Sequence, residues 1–158
     1  MIDEISMLSR PFIKWAGGKS QLIDEIDERL PVELREREIT TYFEPFLGGG
    51  AVFFYIAQKF SIERAVLFDI NEDLIITYKV IKYNPEELMR FIDYYKYLYN
   101  NLDIEKQKDF FYSIRENYNK NKVKINFNDY NNELIEHAAQ MIFLNKTCYN
   151  GLYRLNSK

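Results

Sequence analysis

Residues 40–82 constrain the fold more than any other part of this chain. "TTYFEPF" (40–46) is β-branched and aromatic, the composition of a strand. "LGGG" (47–50) breaks it, and "AVFFYIAQKF" (51–60) follows as a helix apolar nearly all round, which predicts burial. "RAVLFDI" (64–70) is a second short apolar run, expected to be a buried strand. Asn71 is placed to cap a further helix reaching about Lys82, with Glu72 and Asp73 in its first turn. Strand, glycine turn, helix, strand and helix make a βαβ unit with its next helix. Two strands joined through a helix lie parallel, so the fold class is α/β with a parallel sheet.

The character changes at Asn84-Pro85. Helices are expected from Pro85 to about Asn100, from Ile104 to about Tyr118 and from Asn132 to about Lys146, with a polar loop, "NKNKVKINFNDYNN", before the last. Asn150-Gly151 between "TCY" and "LYRLN" predicts a hairpin turn. Upstream, Ser20 to Leu30 carries Leu22, Ile23, Ile26 and Leu30 on one helical face, and Pro31 ends it. Two domains are expected, residues 1–84 and 85–158.

The chain has 158 residues, enough for a sizeable core. Its 47% hydrophobic content excludes a disordered chain, and no apolar run approaches the ~18 residues of a membrane span. "MIDEISMLSR" at the start has no apolar signal core, so a cytoplasmic protein is expected. One cysteine, Cys148, and one histidine, His137, form no metal-ligand pattern, and no metal is expected. The net charge of −3 argues against a surface that holds nucleic acid all over. From His137 onward there is no acid, whereas Lys146, Arg154 and Lys158 are basic, which suits a local nucleic-acid contact.

"EPFLGGG" (44–50) ends a strand and opens a helix. Glycines there let a ligand approach the backbone, and the N–H groups of the helix's first turn face that ligand. Asp69 ends the next strand, where a carboxylate can accept hydrogen bonds from both hydroxyls of a ribose. The combination predicts a site for an adenosine-containing cofactor. The plainer alternative is a glycine turn that serves helix–strand packing, with Asp69 as a loop or cap residue. Taking Gly48 and Gly50 as the first pair of G-x-G-x-x-G, the third position is Phe53, which disfavours a dinucleotide. A glycine loop preceded by bulky Phe46 fits S-adenosylmethionine better, because that ligand has no pyrophosphate.

"KWAGGKS" (14–20) looks like the end of a phosphate-binding loop. That motif needs a glycine where this chain has Ile13, so the triphosphate reading fails and a surface turn before a helix remains.

Four stretches, "PFIKWAGGKSQL" (11–22), "YFEPFLGGGAVFF" (42–54), "LFDINEDLI" (67–75) and "NKTCYNGLYRLNSK" (145–158), together resemble in order and spacing the N-terminal half of the Dam-class, or D12-class, DNA adenine-N6 methyltransferases. The resemblance implies a Rossmann-like S-adenosylmethionine-dependent methyltransferase fold with an incomplete sheet, and a helical DNA-recognition subdomain that stops within its hairpin. It implies that "KWAGGKS" folds against the glycine loop. Trp15, Lys19, Phe46, Gly48, Gly49, Gly50 and Asp69 would line the cofactor pocket. An indole offers a flat wall, and an ammonium can pair with the methionine carboxylate. Lys14, Tyr149, Asn150, Leu152 and Arg154 would meet double-stranded DNA. An arginine can hold guanine O6 and N7, and an apolar or aromatic wedge can fill the gap left by a flipped adenine. The target would be adenine N6 in a short duplex site, GATC being favoured, with a restriction endonuclease as functional counterpart.

The family's catalytic Asp-Pro-Pro-Tyr motif has no match here: the four prolines, Pro11, Pro31, Pro45 and Pro85, are never adjacent. No catalytic residue is therefore assigned, and an N-terminal fragment, inactive alone, is expected. The alternative is an inert cofactor- or DNA-binding module. A cytosine-C5 methyltransferase would need its nucleophilic cysteine after proline, and Cys148 follows Thr147.

Overall fold

The computed structural model describes residues 9–126 and 130–151. The chain divides into two compact units, Met1–Ile70 and Asn71–Lys158.

The first unit is built on the expected βαβ pattern. Strands β1 (Thr41–Glu44) and β2 (Arg64–Leu67) pair parallel, with Thr41 opposite Arg64 and Glu44 opposite Leu67. Helix α3 (Ala51–Lys59) makes the crossover. It is preceded by a 3₁₀ turn (Ser20–Leu22), α1 (Ile23–Glu28) and the single-turn α2 (Val32–Arg35). Leu34, Val52 and Ile56 form the buried centre, against which Ile23, Ile26, Leu30, Tyr42, Tyr55, Phe60 and Ile62 pack. An ion pair of 2.9 Å from Lys59 Nζ to Asp27 Oδ2 ties α3 to α1.

Three expectations change here. The helix expected over 20–30 is a 3₁₀ turn followed by six α-helical residues, because Arg29 and Leu30 turn their N–H groups to Ile26 and Asp27 in tighter i→i+3 bonds. Helix α3 buries only Val52 and Ile56 fully, one side of its apolar circumference. Strand β2 is exposed to half-buried rather than buried. Among the described residues the sheet has two strands, so each strand has one neighbour.

The second unit is helical. It contains α4 (Glu72–Tyr83), α5 (Pro85–Asn100), α6 (Ile104–Lys122) and α7 (Glu133–Thr147). Asn71 caps α4 as its sequence position predicts, its Oδ1 accepting from the Leu74 N–H at 3.0 Å. Asp103 caps α6 in the same way through the Lys106 N–H. Helix α7 is the central element: Leu134, Ile135, Ala138, Ala139, Met141, Ile142, Phe143 and Leu144 are all buried. Around it Leu74, Ile76 and Val80 come from α4, Leu88 and Tyr95 from α5, and Ile114 and Tyr118 from α6. The apolar face of α4 thus places that helix in this unit, whereas a boundary drawn at 84 by composition lies after it.

The described end of the chain departs from the expected hairpin. Thr147 and Cys148 continue helical bonding, Thr147 Oγ1 to Phe143 O and Cys148 N–H to Leu144 O, so "TCY" does not form a strand. Residues Tyr149–Gly151 make a 3₁₀ turn, with Gly151 at φ +67°. The second half of the expected hairpin, with Leu152 and Arg154, lies outside the described residues.

Candidate functional site

The turn between β1 and α3 is held open as a loop by specific backbone bonds. Past the strand ends the parallel ladder continues: Phe68 N–H donates to Glu44 O at 2.8 Å, and Leu47 N–H donates to Phe68 O at 2.9 Å. This buries Leu47 and brings the residue after Phe68, Asp69, alongside the glycines. Asp69 Oδ2 accepts the Gly48 N–H at 2.9 Å. Gly48 has φ +53° and Gly50 φ +79°, left-handed conformations that favour glycine. Gly50 is the N-cap of α3 and supplies no side-chain cap, so the N–H groups of the first helical turn face the loop.

The stretch around "KWAGGKS" folds onto this loop. A Cβ on Gly48 would lie 3.2 Å from Trp15 Cδ1. One on Gly49 would lie 3.3 Å from Ile13 O and 3.6 Å from Trp15 Cβ. Absence of side chains at 48 and 49 is what allows the indole and backbone of 13–15 to approach. Trp15 is half-buried, an indole with one side packed and part in solvent. A Gly18 N–H bond to Trp15 O at 3.1 Å closes the turn.

Lys19 also reaches this loop. Its Nζ donates to Phe46 O at 2.5 Å and lies 3.2 Å from Glu44 Oε1. Glu44 is 5% exposed, and its second oxygen accepts from the Tyr42 hydroxyl at 2.9 Å. Burial and the adjacent Glu44 carboxylate push the Tyr42 phenol well above its ordinary range, so it is held as a donor. Phe46 leaves its ring 75% exposed beside the loop while its carbonyl is engaged.

The structure therefore brings Trp15, Lys19, Phe46, Gly48, Gly49, Gly50 and Asp69 together at one loop of the first unit. Glu44 and Tyr42 belong to it and escape sequence reasoning. The available signal is a carboxylate and a phenol at i and i+2 of an apolar strand, on one face, directly before the glycines. Of the residues expected at DNA, Lys14 is exposed and Tyr149 is 89% exposed. Among the described residues no group of three or more His, Cys, Asp or Glu could hold a metal, and no described helix is long and apolar enough to cross a membrane.

The second unit holds another charged cluster. Asp73 is buried and bonds His137 Nε2 at 2.8 Å and the Lys122 ammonium, joining α4, α7 and α6. The His137 ring stacks on Tyr118 with centroids 4.3 Å apart. Burial raises the Asp73 carboxyl, but the bonds and charges of His137 and Lys122 outweigh it and leave it below the ordinary value.

Most of the chain matches known proteins. The model of the D12 class N6 adenine-specific DNA methyltransferase family matches residues 15–158. The chain is 48% identical over 149 residues to the type II methyltransferase M.MjaIII of Methanocaldococcus jannaschii, covering 94% of this chain and 49% of that protein. It is 36% identical to the type II methyltransferase M1.LlaDCHI of Lactococcus lactis subsp. cremoris, covering 94% of this chain and 45% of the relative. It is 34% identical to a DNA adenine methylase of Haemophilus influenzae, covering 94% and 44%. The chain spans about half the length of the curated relatives it matches.

Proposed function

The chain belongs to the D12 class of N6 adenine-specific DNA methyltransferases, and from that premise we propose that its first unit is the S-adenosylmethionine-binding part of a Rossmann-like methyltransferase domain. The observation that carries the proposal is the convergence of two separate stretches, the turn 13–19 and Asp69, on one glycine loop. Trp15 lies against Gly48 and Gly49, Lys19 against Phe46, and Asp69 against Gly48. The Trp15 indole offers a flat wall for an apolar or aromatic part of the ligand, and Lys19 offers a positive charge to its carboxylate. Asp69 offers a carboxylate to the ribose hydroxyls, and the N–H groups at the start of α3 offer further donors. The loop needs no third glycine because the ligand brings no pyrophosphate.

The reaction served is methyl transfer to adenine N6 in a short duplex site, GATC being the favoured target, within a restriction–modification setting. Two of the relatives are type II methyltransferases, which favours that setting. The second unit is the DNA-recognition part. There Tyr149, Asn150, Leu152 and Arg154 meet the duplex, with Lys14 of the first unit at a flanking base. Leu152 and Arg154 rest on the sequence alone. The Asp-Pro-Pro-Tyr acceptor of the adenine amino group has no match in this sequence. The chain by itself is accordingly a binding module without turnover.

Equilibrium binding of radiolabelled S-adenosylmethionine to the chain, with ATP and NAD as competitors, tests the cofactor assignment. Retention of label that unlabelled S-adenosylmethionine displaces, and that ATP and NAD do not, is expected. Displacement by all three would return the loop to a general nucleotide site.

A further inference from the structure

Glu44 is a carboxylate that the cofactor reading leaves without a task. It sits at the last residue of β1, immediately before Pro45-Phe46 and the glycines, and it is 5% exposed. Burying a carboxylate is costly unless it is paired and hydrogen-bonded. Here both oxygens are engaged: Oε1 lies 3.2 Å from Lys19 Nζ and Oε2 accepts from the Tyr42 hydroxyl at 2.9 Å. Tyr42 and Glu44 are two apart on one strand and so share a face. A rigid element thus presents a fixed negative charge to a lysine that comes from a turn far away in the sequence.

We propose that Glu44 is a positioning residue of the cofactor pocket, which, with the Tyr42 hydroxyl, fixes the Lys19 ammonium at the mouth of the glycine loop, ready for the carboxylate end of the ligand. The inference rests on the cofactor reading given above. A lysine has a long stem, and holding it still costs side-chain entropy. Glu44 and the Phe46 carbonyl, at 2.5 Å from Nζ, meet that cost before the ligand arrives. Two of the three N–H groups of the ammonium are then used within the protein, which leaves the third for a ligand oxygen. Tyr42, held protonated, donates to the far carboxylate oxygen and sets the plane of the Glu44 head group. Glu44 thereby acts through Lys19 without touching the ligand itself.

This division of labour predicts selectivity by ligand part. S-adenosylmethionine carries the amino-acid end that Lys19 would meet, and 5′-methylthioadenosine carries only the nucleoside end. The full chain is titrated with both ligands as wild type, Glu44→Gln, Lys19→Ala and the double variant. Glu44→Gln should weaken S-adenosylmethionine about tenfold, the loss of a charge-assisted bond, and leave 5′-methylthioadenosine within about twofold. The double variant should bind S-adenosylmethionine no worse than Lys19→Ala, because the two residues act as one. Equal losses on both ligands, or losses that add in the double variant, would make Glu44 a residue of general loop stability and overturn the proposal. An unchanged affinity in Glu44→Gln would overturn it too. Failure of the wild type to bind either ligand would defeat the cofactor reading itself and the positioning role with it. If Glu44→Gln does not fold by circular dichroism, Tyr42→Phe takes its place, since it keeps the buried pair. It should weaken S-adenosylmethionine about threefold and leave 5′-methylthioadenosine alone; equal losses would overturn the proposal.

Discussion

The Gly48 N–H donates to Asp69 Oδ2 at 2.9 Å, joining the glycine loop to the residue that follows β2. The same carboxylate proposed to meet a ribose also fixes the loop that the ligand must enter. In the proposed site, loop shape and ligand recognition would be coupled in one side chain.

Gly48→Ala tests how tightly that loop is specified. The substitution places a Cβ 3.2 Å from Trp15 Cδ1 in a residue with φ +53°. The left-handed conformation alone costs an alanine about 1–2 kcal/mol. Trp15 is the only tryptophan in the chain. Its fluorescence therefore reports the loop directly. The expected outcome is red-shifted emission, as the indole moves into solvent, together with a lower urea midpoint.

The buried cluster of the second unit makes its stability depend on acid. Asp73 faces Lys122 from α6 and His137 from α7. Its carboxyl is held below the ordinary value in the folded chain. A depressed folded pKa stabilises above the unfolded value, about 3.9, and that stabilisation is lost as pH falls through the folded value. Asp73→Asn should therefore flatten the acid limb of a stability–pH profile below about pH 4. At neutral pH it should cost about 3–5 kcal/mol, the range for breaking a buried ion pair by removing one partner. Urea unfolding of both proteins from pH 3 to 7 measures the difference.

Leu144→Ala probes the packing of α7. Leu144 is fully buried on the central helix, and truncation of such a leucine costs about 2–5 kcal/mol. The loss should appear as a lower urea midpoint with an unchanged slope. A cost within ±0.5 kcal/mol, typical of surface positions, would mean that α7 is not the core of its unit.

Much of this architecture is legible in the residues because its local signals agree with its packing. Asn71 caps α4, Pro85 opens α5, and the strand–glycine–helix pattern of 40–59 folds as its composition dictates. Misreadings cluster where tertiary contacts override local chemistry. Helix α6 runs to Lys122 through asparagine- and lysine-rich sequence because Tyr118 is buried against His137 and Lys122 reaches Asp73. "TCY" reads as a strand by β-propensity, yet the bonds of α7 carry through Thr147. In the proposed site, Gly48 and Asp69 are signalled by residue type and position, whereas Trp15 and Lys19 are signalled only through the family resemblance, since "KWAGGKS" alone reads as a surface turn. Glu44 and Tyr42 do not, because a carboxylate on a short strand reads as a solvent-facing residue until its burial and both partners are seen.

The proposed DNA contact separates stability from binding. Tyr149 is 89% exposed, so Tyr149→Ala should leave stability within about ±0.5 kcal/mol. If its ring stacks on a base, duplex binding should weaken by about 1–3 kcal/mol. Arg154→Ala, if the guanidinium reads a guanine, should cost about 1–3 kcal/mol on the cognate duplex and less where that guanine is replaced. Fluorescence anisotropy of labelled duplexes at two salt concentrations distinguishes this from a phosphate contact, which would weaken all sequences alike.

The measurement that bears most directly on the account is calorimetric titration of the chain with S-adenosylmethionine, as wild type and as Asp69→Ala. Saturable binding by the wild type, weakened by about 1–3 kcal/mol in the variant through loss of hydrogen bonds to a charged group, is the predicted result. Equal affinity of the two proteins, or no binding by a folded wild type, would contradict the assignment of the glycine loop and Asp69 as the cofactor site.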